Sequence, residues 1–150
     1  KSGGIATNIG VHFFDMLHWI FGPLQHQKVH VRSHDRASGV LSFKNANVRW
    51  FLSINAATLP EAVSQEGGRI HRSLRFDQWS FDFTEGFTEL HSRSYAHILN
   101  GEGFSERDAH AAISIVHGMR ESQISPLDSE AHSLASLPQD LHPFYPIKES

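Results

Sequence analysis

The amino-acid sequence predicts an α+β fold: a single mostly antiparallel (mixed) sheet with helices packed on one face. Two observations lead there. The middle of the chain alternates apolar and polar residues over several short stretches, as half-buried strands do, while the stretches before and after it space their apolar residues as helices do. No internal repeat or low-complexity segment interrupts that order, and 150 residues suffice for one domain with a sizeable core.

The first helix follows Gly3-Gly4 and should stop at Phe21, because Gly22 accepts the backbone turn that ends a helix and Pro23 cannot continue one. Gln27 to Ser33 reads as a strand, with Val29 and Val31 on one face and Lys28, His30 and Arg32 on the other. Gly39 to Lys44 repeats the pattern with Leu41 and Phe43 inward, and Asn45-Ala46-Asn47 is a hairpin turn into Val48 to Ile54. That third strand carries Val48, Trp50, Leu52 and Ile54 on one face and Phe51 on the other, which predicts the centre of the sheet for it. Ala57 to Gly68 has no period, holds Pro60 and Gly67-Gly68, and is expected to be a loop.

Two more strands, Ile70 to Phe76 and Trp79 to Phe83, should join through Asp77-Gln78. Helical spacing returns at Phe87, Leu90, Ser94, Tyr95 and Ile98 and ends at Asn100-Gly101. Ser105 followed by Asp108 reads as a capped start for a helix whose apolar positions are Ala109, Ala112, Ile113, Val116 and Met119 and which runs to about Ser122. Residues 1–122 are then the globular domain. Residues 123–150, polar and spaced by Pro126, Pro138, Pro143 and Pro146, are a tail expected to be extended or disordered unless it lies along the body.

Composition removes several function classes. A formal net charge of −3 provides no basic field for nucleic acid and no polybasic membrane patch. The chain has no cysteine, hence no disulfide, thiolate metal site or cysteine nucleophile, which fits a cytoplasmic protein. The longest apolar run, Val11 to Phe21, is broken by His12, Asp15 and His18 and is too short to span a bilayer. The chain opens inside a helix start with no initiator Met, and a fragment of a longer protein is expected.

The candidate site lies in that first helix. At roughly 100° per residue, Asn8, His12 and Asp15 fall within about 60° of one another on a rod that is otherwise mostly apolar. Such a helix is expected to be buried on more than one side, where an amide, an imidazole and a carboxylate need partners, either one another or a ligand. The Gly-Gly just before them lets backbone or substrate come close. A second stretch enters the next helix, where Thr84, Thr88 and His91 could edge a ligand, although a Thr at a helix start is also a cap.

Twelve histidines raise the question of a metal, with His26, His30 and His34 on one strand face. Imidazoles four residues apart on an extended chain are roughly 13 Å apart, whereas one ion needs its ligands at about 2 Å, so no metal is expected. His-Glu-x-x-His, Gly-x-Ser-x-Gly and a phosphate loop are absent, and Gly101-x-Gly103 follows no strand and has Glu106 where a dinucleotide turn needs a small residue. The face carrying His26, Lys28, His30, Arg32 and His34, with Val40 and Phe51 beside it, is too apolar for solvent and too polar for a core. A homo-oligomer through that open sheet face is expected.

Gly3-Gly4-Ile5-Ala6-Thr7-Asn8-Ile9-Gly10-Val11-His12-Phe13-Phe14-Asp15 resembles the pattern Gly-Gly-(Gly)-x-x-x-Asp-x-Gly-x-His-x-x-Asp that opens the C-terminal domain of the Gfo/Idh/MocA family of NAD(P)-dependent oxidoreductases. Asn8 stands where many members have Asp, a variant similar to the UDP-N-acetyl-2-amino-2-deoxyglucuronate 3-dehydrogenases of surface-polysaccharide synthesis. Lys1 to Asn8, Glu85 to His91 and Gly101-x-Gly103-Phe104 before Asp108-Ala109 look like that subgroup too, so the resemblance spans residues 1 to 122. It puts His12 at the family's active-site histidine, the expected catalytic residue, and Asn8 at its neighbouring polar position; Asn8 is expected to bind substrate together with Lys1, Thr88 and His91. It also implies a preceding Rossmann domain that holds NAD or NADP and supplies a Lys from a Glu-Lys-Pro motif absent from this chain. The reading is a substrate-binding and oligomerising half of a nucleotide-sugar dehydrogenase, inactive by itself. The alternative is a non-catalytic domain of the same fold kept for assembly or sugar binding.

Overall fold

The structure, a computed structural model, describes residues 3–85 and 89–138. It comprises two compact units, Lys1–Ile54 with Arg107–Ser150, and Asn55–Glu106. The α+β class holds, and the strands divide into two antiparallel sheets rather than one. Among the described residues no helix is long and apolar enough to cross a membrane.

In the first unit a π-helical turn, Ala6–Gly10, runs directly into α1 (Val11–Phe21). The helix stops where the sequence places its end: Gly22 takes a positive φ of 82° and its N–H donates to the His18 carbonyl at 2.9 Å. Three strands follow, β1 (Leu24–Arg32), β2 (Arg36–Phe43) and β3 (Asn47–Ser53), in the order β1-β2-β3. The centre is therefore β2, not the third strand as expected. Two successive hairpins always leave the middle strand inside, and β2 is buried at every position except Ser42. The strong alternation of β3 reflects the helix packed on one of its faces.

That helix layer sits where the register brings Val29, Gly39 and Trp50, and next to them Ala37 and Leu52, onto one side. Phe14 of α1 meets Trp50 edge to face with ring centroids 5.1 Å apart. The last helix, α4 (Glu106–Glu121), buries Ala112, Ile115, Val116 and Met119. Ile113, expected inward, is exposed, because the buried stripe of a helix takes residues three and four apart and Ile115 fills that place. A register shift between Val29 and Val31 inserts one extra residue into β1 and sends Arg32 to the helix side. There its Nη1 donates to the carbonyls of Met119 and Arg120, at 2.7 and 2.8 Å, and so satisfies carbonyls that the end of α4 leaves without intrahelical partners. The expected single face of His26, Lys28, His30, Arg32 and His34 is broken by this bulge.

Nor is the opposite sheet face open. After α4 the chain forms a parallel bridge from Ile124 to Val29, and the Ser125 N–H donates to the Val29 carbonyl at 2.8 Å. It then crosses the face: Lys28 pairs with Asp128 and Glu130, His30 Nε2 lies 3.7 Å from Asp128, and His132 stacks on Phe51 at 5.5 Å. The described part of the tail thus lies along the body, with His30 buried beside Asp128. Its far end is tied at Leu137, whose carbonyl accepts from Arg36 Nη1 at 3.1 Å. Arg36 is only 1% exposed, and its Nη2 and Nε reach Asp35 Oδ2 at 2.9 and 3.1 Å. A buried pair of this kind is costly to break, since removing either partner leaves a buried charge without compensation.

The second unit begins with a 3-10 turn, Ala56–Thr58, and a short helix α2 (Glu61–Gln65), within the stretch expected to be a loop. Pro60 starts α2 rather than preventing it, as proline is tolerated at a helix N-terminus. β4 (Ser73–Phe76) and β5 (Trp79–Asp82) form the expected hairpin, with Asp77 at φ 45° in the turn. α3 (Leu90–Leu99) ends before Asn100-Gly101; its expected first apolar residue, Phe87, lies outside the described residues.

The packing around β2 leads to a first prediction. A Cβ at Gly39 would collide with the Lys28 backbone carbonyl across the ladder, so Gly39→Ala should destabilise the chain by about 1–3 kcal/mol. Thermal unfolding should show a Tm lower by roughly 2–4 °C per kcal/mol; an unchanged Tm contradicts this packing. The second prediction concerns the ion pairs of the tail. The Glu130 backbone N–H and Lys28 hold Asp128 below the ordinary 3.8, and the Glu130 and Asp128 carboxylates hold Lys28 above the ordinary 10.5. A depressed carboxylate stabilises above its unfolded value and a raised ammonium below its unfolded value, so the attachment is complete between the two and weakens outside them. Hydrogen exchange at the Ser125 amide should lose protection relative to β2 as pH falls below 3.8; equal protection at both pH values contradicts the prediction.

Candidate functional site

Asn8 lies in the π turn, and His12 and Asp15 in the first two turns of α1. A π turn widens the helix by one residue per hydrogen-bond ring and is concentrated at functional sites. Its start is held by the Thr7 hydroxyl, which donates to the Gly3 carbonyl at 2.9 Å, and by the Asn8 N–H, which donates to the Gly4 carbonyl at 3.0 Å. Gly3 and Gly4 have φ of 78° and 86°, and a Cβ on Gly4 would meet nothing within 4 Å. The approach to the turn is therefore narrow in side chains and open in space.

α1 buries Phe14, Leu17 and Phe21 against the sheet, with Gly10 of the turn buried beside them. Helix geometry then turns the stripe of Asn8, His12 and Asp15 to the other side, and all three residues are exposed. The expectation that this helix is buried on more than one side is corrected: one side alone is covered. The apolar residues that suggested fuller burial include Trp19 and Ile20, which are themselves exposed, Trp19 by 87%. Trp19 continues the stripe, four residues beyond Asp15; sequence reasoning missed it, although that spacing was legible. None of the three polar side chains has a hydrogen-bond or ion-pair partner among the described residues. His12 is thus no core histidine held by neighbours; its ring is available to a ligand or to another part of a protein.

His91 is an exposed residue in the first turn of α3, in the second unit. Lys1 and Thr88 lie outside the described residues. Thr84 serves the structure of its own loop, since its hydroxyl accepts from the Arg72 N–H at 3.0 Å and its carbonyl from Arg72 Nη1 at 2.9 Å.

Comparison with known proteins adds the family. Residues 1–73 match the family model described as "Oxidoreductase family, C-terminal alpha/beta domain". Two solved structures of the WlbA (WbpB) dehydrogenase from Thermus thermophilus share the fold with a TM-score of 0.81. One, in complex with NAD and alpha-ketoglutarate, is 44% identical; the other, in complex with NAD and UDP-GlcNAcA, is 42% identical. Each comparison covers 87% of this chain and 42% of the dehydrogenase chain, so the match spans less than half the length of those proteins. In the motif from Gly3 to Asp15, the match over residues 1–73 and the shared fold, the chain is similar to the C-terminal alpha/beta domains of the Gfo/Idh/MocA oxidoreductase family.

Proposed function

We propose that the chain is the substrate-facing half of an NAD(P)-dependent dehydrogenase that oxidises a secondary hydroxyl of a nucleotide-sugar uronate similar to UDP-GlcNAcA, in the cytoplasm. The observation that carries this reading is the outward stripe of Asn8, His12 and Asp15 on a helix whose other side is fixed to the sheet. The likeness to WlbA structures holding NAD and UDP-GlcNAcA supports the substrate class.

Within this reading each residue has a role. The His12 imidazole accepts the hydroxyl proton, since a neutral imidazole has a ring nitrogen that can take a proton and return it. Asn8 orients a sugar hydroxyl through its amide without titrating, and Lys1, Thr88 and His91 are proposed as substrate-binding residues on the sequence resemblance alone. The dinucleotide supplies the hydride acceptor when bound. The residues of this chain fit a border for it, where the bare backbone of Gly3 and Gly4 permits close approach, but they include no glycine-rich turn between a strand and a helix to hold its pyrophosphate. Holding it falls to a preceding Rossmann domain, with residues 1–122 as the partner domain. The isolated chain should then give no heat of NAD(H) binding in calorimetry at micromolar concentrations; micromolar affinity contradicts this division of labour.

Self-association through the β1–β3 face belongs to the same proposal in reduced form, limited to the part around His26 and Arg49 that the tail leaves exposed.

The decisive substitution is His12→Asn in the full-length enzyme. General acid–base catalysis contributes about 10²–10⁴-fold, so kcat should fall by that order while KM changes much less. Because His12 is exposed, Tm should stay within about the change expected of a surface substitution, roughly 0.5 kcal/mol. Asn8→Ala should chiefly raise KM. An unchanged kcat in His12→Asn removes His12 from the chemistry and favours the non-catalytic alternative.

A further inference from the structure

The pair Asn100-Gly101, at the end of α3, takes no part in the proposed chemistry. Of the five asparagines in the chain, only Asn100 precedes a glycine. A backbone amide nitrogen can attack the side-chain amide of the asparagine before it, and the residue that carries this nitrogen decides how easily. Asn8 and Asn47 precede Ile9 and Val48, whose branched Cβ crowds the nitrogen and stiffens the chain. Asn45 and Asn55 precede alanines, and Asn55 Oδ1 is engaged by the Ala57 N–H at 2.9 Å. Gly101 has no side chain and the widest backbone freedom.

The local structure leaves the pair open. Asn100 and Gly101 are exposed, and the Asn100 side chain has no hydrogen-bond or ion-pair partner among the described residues. Gly101 takes a φ of 78°, and a Cβ there would meet nothing within 4 Å. One bond restrains the attacking nitrogen: the Gly101 N–H donates to the Ile98 carbonyl at 3.1 Å. That bond closes the end of a helix of 10 residues, none of them buried, and none of the described residues between 55 and 106 is buried either. Isolated helices shorter than about 12–15 residues are marginal in water, and exposed helix ends open at little cost. The fold therefore presents Gly101 N to the Asn100 side chain almost as an unfolded chain does.

We infer that Asn100 is a site of spontaneous deamidation in the folded chain. The Gly101 backbone nitrogen gives its proton to solvent and bonds to Asn100 Cγ; the Cγ–Nδ2 bond breaks and ammonia leaves, closing a cyclic imide. Water then adds to either imide carbonyl and the ring opens. Opening at Cγ gives aspartate, and opening at the backbone carbonyl gives isoaspartate, in which the main chain runs through the former side chain. Nothing is oxidised or reduced, and water is the sole co-reactant. Both products place a negative charge where the last carbonyls of α3 already concentrate one, close to Glu102, so the modification weakens α3. This chemistry is independent of the dehydrogenase reading.

The test follows the peptide around each asparagine by mass spectrometry while the chain stands at mildly alkaline pH, folded and, in parallel, unfolded in urea. Asn100 should convert in the folded chain ahead of the other four asparagines and at a rate close to that in urea, with ammonia released in equal amount. Conversion of Asn100 in urea but not in the folded chain would overturn the inference, as would equal conversion of Asn45. Asn100→Ser should abolish the early release of ammonia; its persistence places the chemistry elsewhere and overturns the site. Asn100→Asp reads the consequence by hydrogen exchange: the α3 amides should exchange faster than in the parent while those of β2 stay unchanged. Equal exchange in α3 would contradict the effect on the helix.

Discussion

The site depends on how α1 is fixed to the sheet. Phe14 meets Trp50 edge to face, a contact worth about 0.5–1.5 kcal/mol beyond the area it buries. Gly10 lets the helix come close: a Cβ there would press on the Phe14 ring and the end of Leu52. With those contacts set, the rotation of the helix is determined, and Asn8, His12, Asp15 and Trp19 have only the outward side left to occupy. Substitutions at Phe14, Trp50 or Gly10 would therefore alter the direction in which the stripe points without touching any residue of the stripe.

The opposite face of the sheet shows how a segment poor in regular structure is ordered. The tail from Ile124 to Leu137 buries little apart from Ala135, yet it is fixed by one backbone bridge at the β1 edge, by the Lys28 pairs, by stacking on Phe51 and by Arg36 at its end. Exposed ion pairs contribute little individually; the bridge at the edge and the buried Arg36 are the stronger ties. This arrangement also blunts an edge strand that would otherwise be open to pairing with another chain.

Much of the fold was legible because local chemistry decided it. Gly22-Pro23 ends α1, the turn read at Asn45-Ala46-Asn47 lies within one residue of the observed connection between β2 and β3, and Asp77-Gln78 turns the second hairpin, each for reasons contained in a few residues. Strand order, the bulge after Val29 and the course of the tail were not legible, since they are set by contacts between residues far apart in sequence. Pro126 and Pro138 argue against helix and central strand, but nothing local announces that Ser125 bonds to Val29 or Leu137 to Arg36. The site was half legible. Spacing put Asn8, His12 and Asp15 on one face, but the apolar residues around them suggested a core where the structure has an exposed surface, because Trp19 and Ile20 are apolar residues that this chain leaves uncovered.

The central claim is that this outward stripe is the face on which substrate is bound. Its most direct test is a nuclear magnetic resonance titration of the full-length protein, labelled at the histidine ring carbons, with UDP-GlcNAcA. The His12 resonance is identified by its loss in a His12→Asn spectrum. The account predicts that this resonance moves in a saturable way with added ligand. A His12 resonance that stays in place while other signals report saturation would contradict it.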